Sequence, residues 1–154
     1  MKNPPLKRHK ALQNLSREHH DSLVFVLRLQ KGVANKSSIK EMEDYIQWYW
    51  EVHLKAHLEI EENHLFPMLS KNEISVEKVY QEHEQIKKII RQQPKSKESI
   101  TNLFQVLKAH IRFEERELFM LIQDKLSNQE LAEFGLIHSR QIECGLWINR
   151  FWEQ

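Results

Sequence analysis

Two stretches of this sequence repeat the same arrangement of histidine and glutamate residues. The repeated residues are His57, Glu61, Glu62, Leu65 and Phe66 in the first stretch and, at the same spacing, His110, Glu114, Glu115, Leu118 and Phe119 in the second. Because an α-helix places residues four positions apart on one face, each copy would direct an imidazole and a carboxylate at the same point. Burying these groups is costly unless a cation lies between them, so the pattern indicates a transition-metal site.

The repeat needs helices to position it, and the periodicity of apolar residues predicts helices throughout the chain, with no strand. Their predicted ends are capping, glycine or proline residues. The predicted helices run from Ala11 to about Gly32, from Ser38 to Pro67, from Ser75 to Pro94, from just after Ser96, and from Ser127 onwards.

The first four helices predict an all-α fold, an antiparallel up-down-up-down four-helix bundle over residues 11–126. The repeat then falls on the second and fourth helices, which run parallel to each other and can bring their ligands to one depth. Residues 1–10 are predicted to be an irregular N-terminal arm. Residues 127–154 are predicted to be an additional C-terminal helix, which is rich in tryptophan and phenylalanine. Such a helix either packs on the bundle or forms a homodimer interface.

The first and third helices each offer one histidine in a similar setting. His83 on the third helix is followed by an apolar residue three positions later, and His20 on the first helix shares this spacing. His19 competes with His20, because it shares a helical stripe with Leu12 and Leu15, but the parallel with His83 favours His20. The predicted ligand set, which is about what two metal ions need when they share carboxylates, is His20, His57, Glu61, His83, His110 and Glu114.

This pattern resembles the hemerythrin-like (HHE cation-binding) family over roughly residues 11–126. The family is a four-helix bundle with a non-haem di-iron centre, and its members carry oxygen, sense oxygen, redox state or iron, or repair nitrosative and oxidative damage. The resemblance implies two iron ions bridged by carboxylates and an oxo or hydroxo group. It implies that Glu61 and Glu114 bridge the ions and that the terminal ligands are His20, His57, His83 and His110.

Two positions differ from the oxygen-carrying hemerythrins that the sequence resembles. Those carriers have a second histidine four residues after the one on the third helix and an aspartate five residues after the one on the fourth. This chain has Lys87 and Glu115 there. The resemblance therefore implies iron binding without implying oxygen transport.

Two further histidines and two other kinds of metal site are the alternatives to this ligand set. His53 and His64 lie one helical turn from the site and stay open as additional ligands. Ferritin-like carboxylate proteins need a glutamate followed three residues later by histidine on each of two helices. Glu61 and His64 supply one such motif, but the matching pair is Glu114 and Glu117. A single tetrahedral zinc ion would need fewer ligands than the six that four helices supply.

Composition limits the partners and the compartment. The net charge is +1, so charge predicts no nucleic-acid partner, and no apolar run is long enough to predict a membrane segment. Cys144 is the single cysteine, which excludes an intramolecular disulfide and favours a reducing compartment. The sequence therefore predicts a cytoplasmic protein.

Two classes of function stay open on these observations. The first is a non-enzymatic di-iron protein that binds or senses oxygen, peroxide, nitric oxide or iron. The second is a di-iron oxidoreductase that handles peroxide or nitric oxide. The first is preferred, because the sequence offers no dedicated catalytic acid, base or substrate pocket.

Overall fold

The computed structural model describes residues 7–70 and 72–153, and these residues contain helices and no strand, which confirms the predicted all-α class. The helices are α1 (Gln13–Ala34), α2 (residues 39–65), α3 (Ile74–Arg91), α4 (residues 97–125) and α5 (Asn128–Ile137). Helices α1 to α4 form a four-helix bundle in which α1 and α3 both pack along α4. None of the helices in the described ranges combines the length and the apolar character that crossing a bilayer requires.

Most of the predicted helix starts are confirmed by their capping bonds. The Ser38 side chain accepts a hydrogen bond from the Glu41 backbone N–H, and full capping boxes form at Ser96 and at Ser127. The prediction that Ser75 caps α3 is wrong, because the N-cap is Glu73. A turn closed by the Glu73 N–H and the carbonyl oxygen of Ser70 starts the helix earlier than the serine.

Three π-helical turns interrupt the long helices. Two lie in α2, at Trp50–Leu54 and Glu61–Leu65, and one lies in α4, at Glu114–Leu118. The last two begin at the first glutamate of each repeated stretch. The repeat thus extends from the sequence to the backbone, and π-helical turns are frequent at functional sites.

The apolar core is divided into two clusters along the length of the bundle. Leu12, directly before α1, and Leu15 on α1 belong to one cluster, for example, whereas Phe25 and Val26 on α1 belong to the other. The same division occurs on α2, α3 and α4, each time with a buried polar residue of the predicted site between the two clusters. The candidate site therefore lies at one depth, closed above and below by apolar side chains.

The N-terminal arm, predicted over residues 1–10, lies partly outside the described residues, which begin at residue 7. Within the described part, Arg8 donates a hydrogen bond of 2.7 Å to the Glu115 carbonyl oxygen on α4. A turn of 3-10 helix at Lys10–Leu12 then leads into α1. This part of the arm is therefore attached to the bundle.

The prediction of one C-terminal helix over residues 127–154 is wrong beyond Ile137, where α5 ends. Residues 139–150 follow an irregular path with Gly145 at a φ of 68°, and a 3-10 turn forms at Phe151–Glu153. The Phe151 side chain is fully buried against α1. A Cβ at Gly32 would lie 2.7 Å from the Phe151 ring, so the absence of a side chain at Gly32 permits this contact. Gly32 does not end the helix as predicted, because α1 continues to Ala34. The C-terminal segment thus packs on the bundle, and a homodimer interface stays a prediction.

Candidate metal centre

Six buried side chains from α1 to α4 form two overlapping groups of potential metal ligands. One group, the His19–His57 position, contains His19, His57, Glu61 and Glu114, and the other, the His83–His110 position, contains His83, His110, Glu61 and Glu114. Within each group the ligand atoms all lie within 4.8 Å of one another. Because the two carboxylates belong to both groups, the arrangement suits two metal ions that share bridging ligands.

Glu61 lies between one histidine of each position. Its Oε1 atom is 3.3 Å from His57 Nε2 and 3.4 Å from His83 Nε2. His57 and Glu61 are four residues apart on α2, so this contact is the one that the sequence spacing predicts. The contact with His83 on α3 joins the two positions.

Glu114 connects the positions in the same way from α4. Its Oε2 atom is 3.4 Å from His19 Nε2, and its Oε1 atom is 3.4 Å from His83 Nε2 and in contact with His110 Nε2. All four imidazoles therefore direct Nε2 at the two shared carboxylates.

Several of these atoms have no hydrogen-bond partner in the described part of the chain. They are both carboxylate oxygens of Glu61, Oε2 of Glu114, and Nε2 of His19 and His57. A buried polar atom without a partner costs about 1–3 kcal/mol of stability. Metal ions of intermediate softness, such as iron, bind imidazole nitrogen and carboxylate oxygen atoms and would supply the missing partners. The residues present therefore fit a metal pair.

Each imidazole has a second glutamate near its other nitrogen, Nδ1. The pairs, with their nitrogen–oxygen distances, are His57 with Glu18 at 2.7 Å, His110 with Glu82 at 2.8 Å, His19 with Glu115 at 3.4 Å and His83 with Glu62 at 3.8 Å. A carboxylate behind a histidine ligand orients the ring and leaves the Nε2 lone pair for the metal. His57 and His110 thus have the surroundings of metal-binding imidazoles, whereas Nδ1 of His19 and Nδ1 of His83 have no hydrogen-bond partner in the described part of the chain.

The pairing is reciprocal between helices. Glu18 and Glu82 directly precede the histidines of α1 and α3, and they contact the histidines of α2 and α4. Glu62 and Glu115 directly follow the shared carboxylates of α2 and α4, and they contact the histidines of α3 and α1. Each position therefore has the same arrangement, in which the glutamate near a histidine Nδ1 atom comes from a neighbouring helix.

Lys87 and Glu115, the two residues that depart from the carrier pattern, both lie just outside the ligands. Lys87 Nζ is 3.0 Å from both carboxylate oxygens of Glu62. Glu115 accepts a hydrogen bond of 3.0 Å from Ser16 and lies 3.8 Å from Arg8. Lys87 thus faces His83 through the carboxylate of Glu62, Glu115 faces His19 directly, and neither residue is a member of either ligand group.

The carboxylates raise the pKa of the histidines that face them. Although burial works to lower it, Glu114 and Glu115 raise the pKa of His19 to about 9. Glu61 and Glu18 likewise raise the pKa of His57 to about 10 against the effect of burial. A metal ion must therefore compete with protons for the imidazole nitrogens.

The structure corrects the preference for His20. His20 is exposed and belongs to neither group of ligands, whereas His19 is buried in the centre. The two residues point about 100° apart on the helix. The stripe shared with Leu12 and Leu15 was the correct signal, because both of those residues are also fully buried. The spacing taken from His83 was a weaker guide than the continuity of the buried face.

The other histidines lie outside the two ligand groups. His64 is exposed. His53 is buried, but its Nε2 atom is 3.3 Å from the backbone carbonyl oxygen of Glu18. Two buried phenylalanines cover the centre, with Phe119 stacked on His19 at 5.4 Å between ring centroids and Phe66 lying 5.5 Å from His83.

Three residues with clear roles were missed at the level of sequence: Glu18, Glu82 and His138. The glutamate–histidine pairs on the first and third helices were a visible signal for the first two. His138 had no such signal, because its contact is with Glu18, far away in sequence. Its Nε2 atom lies 2.6 Å from Glu18 Oε2.

Comparison with protein families gives a match that covers most of the chain. A family model described as the hemerythrin HHE cation binding domain matches residues 10–122, which include all six members of the two ligand groups. No curated protein and no solved structure matches the chain.

Proposed function

The chain belongs to the hemerythrin HHE cation-binding domain family, and on this premise we propose that it is a non-haem di-iron protein that binds or senses oxygen, peroxide, nitric oxide or iron. The observation that carries the proposal is the sharing of Glu61 and Glu114 between two buried histidine pairs. Imidazole and carboxylate ligands suit iron. When bound, two iron ions would supply reversible electron transfer and coordination sites for a small ligand.

The protein's own residues would hold and shield this centre. The terminal ligands would be His19, His57, His83 and His110, with Glu61 and Glu114 as bridges. Glu18 and Glu82 would keep the imidazoles of His57 and His110 in one orientation and tautomer. Phe66 and Phe119 would limit the access of water to the centre, because their rings lie against His83 and His19.

Binding or sensing is preferred over catalysis because the nearby acids are already engaged. Glu18, Glu62, Glu82 and Glu115 each face the Nδ1 atom of a histidine. A general acid or base must reach a reacting group, and these four carboxylates are directed at the ligands instead. An oxidoreductase that handles peroxide or nitric oxide is the alternative.

Iron analysis combined with optical spectroscopy tests the proposal. Protein loaded with Fe²⁺ under anaerobic conditions is expected to contain two iron ions per chain. Its spectrum is expected to change on exposure to oxygen or nitric oxide and to return on removal of the ligand or on reduction. No bound iron, or one tightly bound zinc ion, would overturn the di-iron assignment. Sustained turnover of peroxide would favour the oxidoreductase.

A further inference from the structure

The segment that follows α5 reaches back to the candidate centre. His138 is 4% exposed, and its Nε2 atom is 2.6 Å from Glu18 Oε2. The Ile142 backbone N–H donates a hydrogen bond of 2.8 Å to the same oxygen. The other oxygen of Glu18 is 2.7 Å from His57 Nδ1. Residues 138–142, which we call the C-terminal strap, lie beyond residues 10–122, where the family match ends.

We infer that the C-terminal strap positions His57 for metal binding by holding the carboxylate of Glu18, and this inference rests on the proposed function. Glu18 is fully buried, so its orientation depends on the groups that surround it. The strap occupies one carboxylate oxygen and leaves the other for His57. With its Nδ1–H donated to Glu18, the imidazole presents Nε2 to Glu61, 3.3 Å away.

Among residues 7–70 and 72–153, no segment holds the equivalent glutamate at the other position in this way. Glu82 contacts His110 Nδ1 at 2.8 Å, but its side chain is 19% exposed. Its second oxygen is 3.9 Å from Lys78 Nζ, an exposed side chain on the same helix. Water can therefore solvate Glu82 if a neighbour is lost. The strap should thus affect the His19–His57 position and leave the His83–His110 position nearly unchanged.

Contacts that do not involve Glu18 also attach the strap and the residues after it. Gln141 Nε2 donates a hydrogen bond of 3.2 Å to Asp21, and Asn35 and Ser37 donate side-chain hydrogen bonds to the backbone carbonyls of Trp152 and Phe151. A substitution of His138 alone should therefore leave the chain folded and the strap attached. This separates a role in positioning from a role in holding the C-terminus.

The test compares His138→Leu, which removes the donor, with His138→Gln, whose amide can replace it, and with Arg140→Ala at an exposed position of the strap. Fe²⁺ is titrated anaerobically into each full-length protein. His138→Leu is expected to bind one ion as tightly as the wild type and the second up to about 10-fold more weakly, the lower end of the usual loss for an outer partner, because His138 acts on His57 through Glu18 and the Ile142 N–H still holds that carboxylate. His138→Gln should recover most of this affinity, and Arg140→Ala should match the wild type.

NMR of the protein before metal is added supplies a readout that does not depend on iron. The short contacts of His57 and His110 with their glutamates should each give a downfield Nδ1–H signal. In His138→Leu, the His57 signal should shift or disappear while the His110 signal stays. Equal iron affinities with an unmoved His57 signal would overturn the inference alone, as would an equal loss at both positions. A wild-type protein that binds no Fe²⁺ would overturn the proposed function.

Discussion

The His19–His57 position and the His83–His110 position share the same bridging carboxylates but differ in the groups behind the histidines. Behind His57, Glu18 is fully buried and held by the C-terminal strap. Behind His110, the Glu82 side chain is partly exposed and faces Lys78. The pairing of histidine and glutamate is therefore fully enclosed by protein at His57 and partly exposed to solvent at His110.

This difference shows which part of the centre the repeat controls. The inward contacts of His57 with Glu61 and of His110 with Glu114 follow from the i to i+4 spacing, which is the same at both positions. The outer contacts depend on which chain segments cover each helix. Because a carboxylate in a low-dielectric site interacts more strongly with its neighbours than one near water, the two positions should respond differently to the same change.

The largest effect is expected for the shared carboxylates. Glu61→Ala or Glu114→Ala should lower the metal affinity of both positions by at least about 100-fold, because each substitution removes a ligand from both groups. This exceeds the usual loss when an outer partner of a ligand is removed. Iron content after anaerobic loading and desalting measures this. Glu59→Ala, at an exposed site on α2, is the control and should retain both ions. A Glu61→Ala protein that keeps one tightly bound ion would show that the positions do not share this residue.

A loss at one position is expected for His19→Ala. This variant should bind one ion per chain tightly, because the ligands at the His83–His110 position stay intact. His20→Ala should bind two, because the exposed His20 side chain belongs to neither group. Metal titration of the two variants decides between adjacent residues. The reverse result would restore His20 as the ligand.

Acid should weaken metal binding at the His19–His57 position. The raised pKa values, about 9 for His19 and about 10 for His57, mean that both imidazoles carry a proton on each ring nitrogen at neutral pH before metal binds. Binding displaces these protons, so affinity should rise with pH by about 100-fold per unit if two protons leave. Chelator competition between about pH 6 and pH 8, with proton release measured in weak buffer, tests this. An affinity that does not change with pH would contradict it.

The smallest effects should come from the outer glutamates, and these compare the two positions most directly. Glu18→Gln should lower the affinity for one of the two ions by about 10–100-fold. Glu82→Gln should lower it by less than about tenfold, because water can replace part of the lost interaction at this partly exposed residue. Isothermal titration of the two variants measures the difference. Glu84→Gln, at an exposed site on α3, is the control. Equal losses would mean that burial of Glu18 has no influence on the centre.

The helical class and five of the six ligand candidates could be predicted because they depend on local spacing. A period of 3.6 residues and capping serines are properties of neighbouring residues, and the repeat places His57 with Glu61 and His110 with Glu114 on single helix faces. The choice between His19 and His20 was harder, because a rotation of one residue changes which side chain faces the core. The residue at which α5 ends was harder still to predict. The apolar character of Phe151 and Trp152 suggested a continuous helix. Instead, a 3-10 turn at the end of an irregular segment carries these two buried side chains.

The sequence alone determined that two histidine–glutamate pairs would face inwards at one depth of a helical bundle, because both are encoded within single helices. Only the tertiary structure decided that His19 completes the first group, that Glu18 and Glu82 stand behind histidines of neighbouring helices, and that His138 holds Glu18. These contacts join residues that are distant in the chain. They depend on helix rotation and on the path of the C-terminal segment, both of which are set by packing of the whole molecule rather than by local spacing.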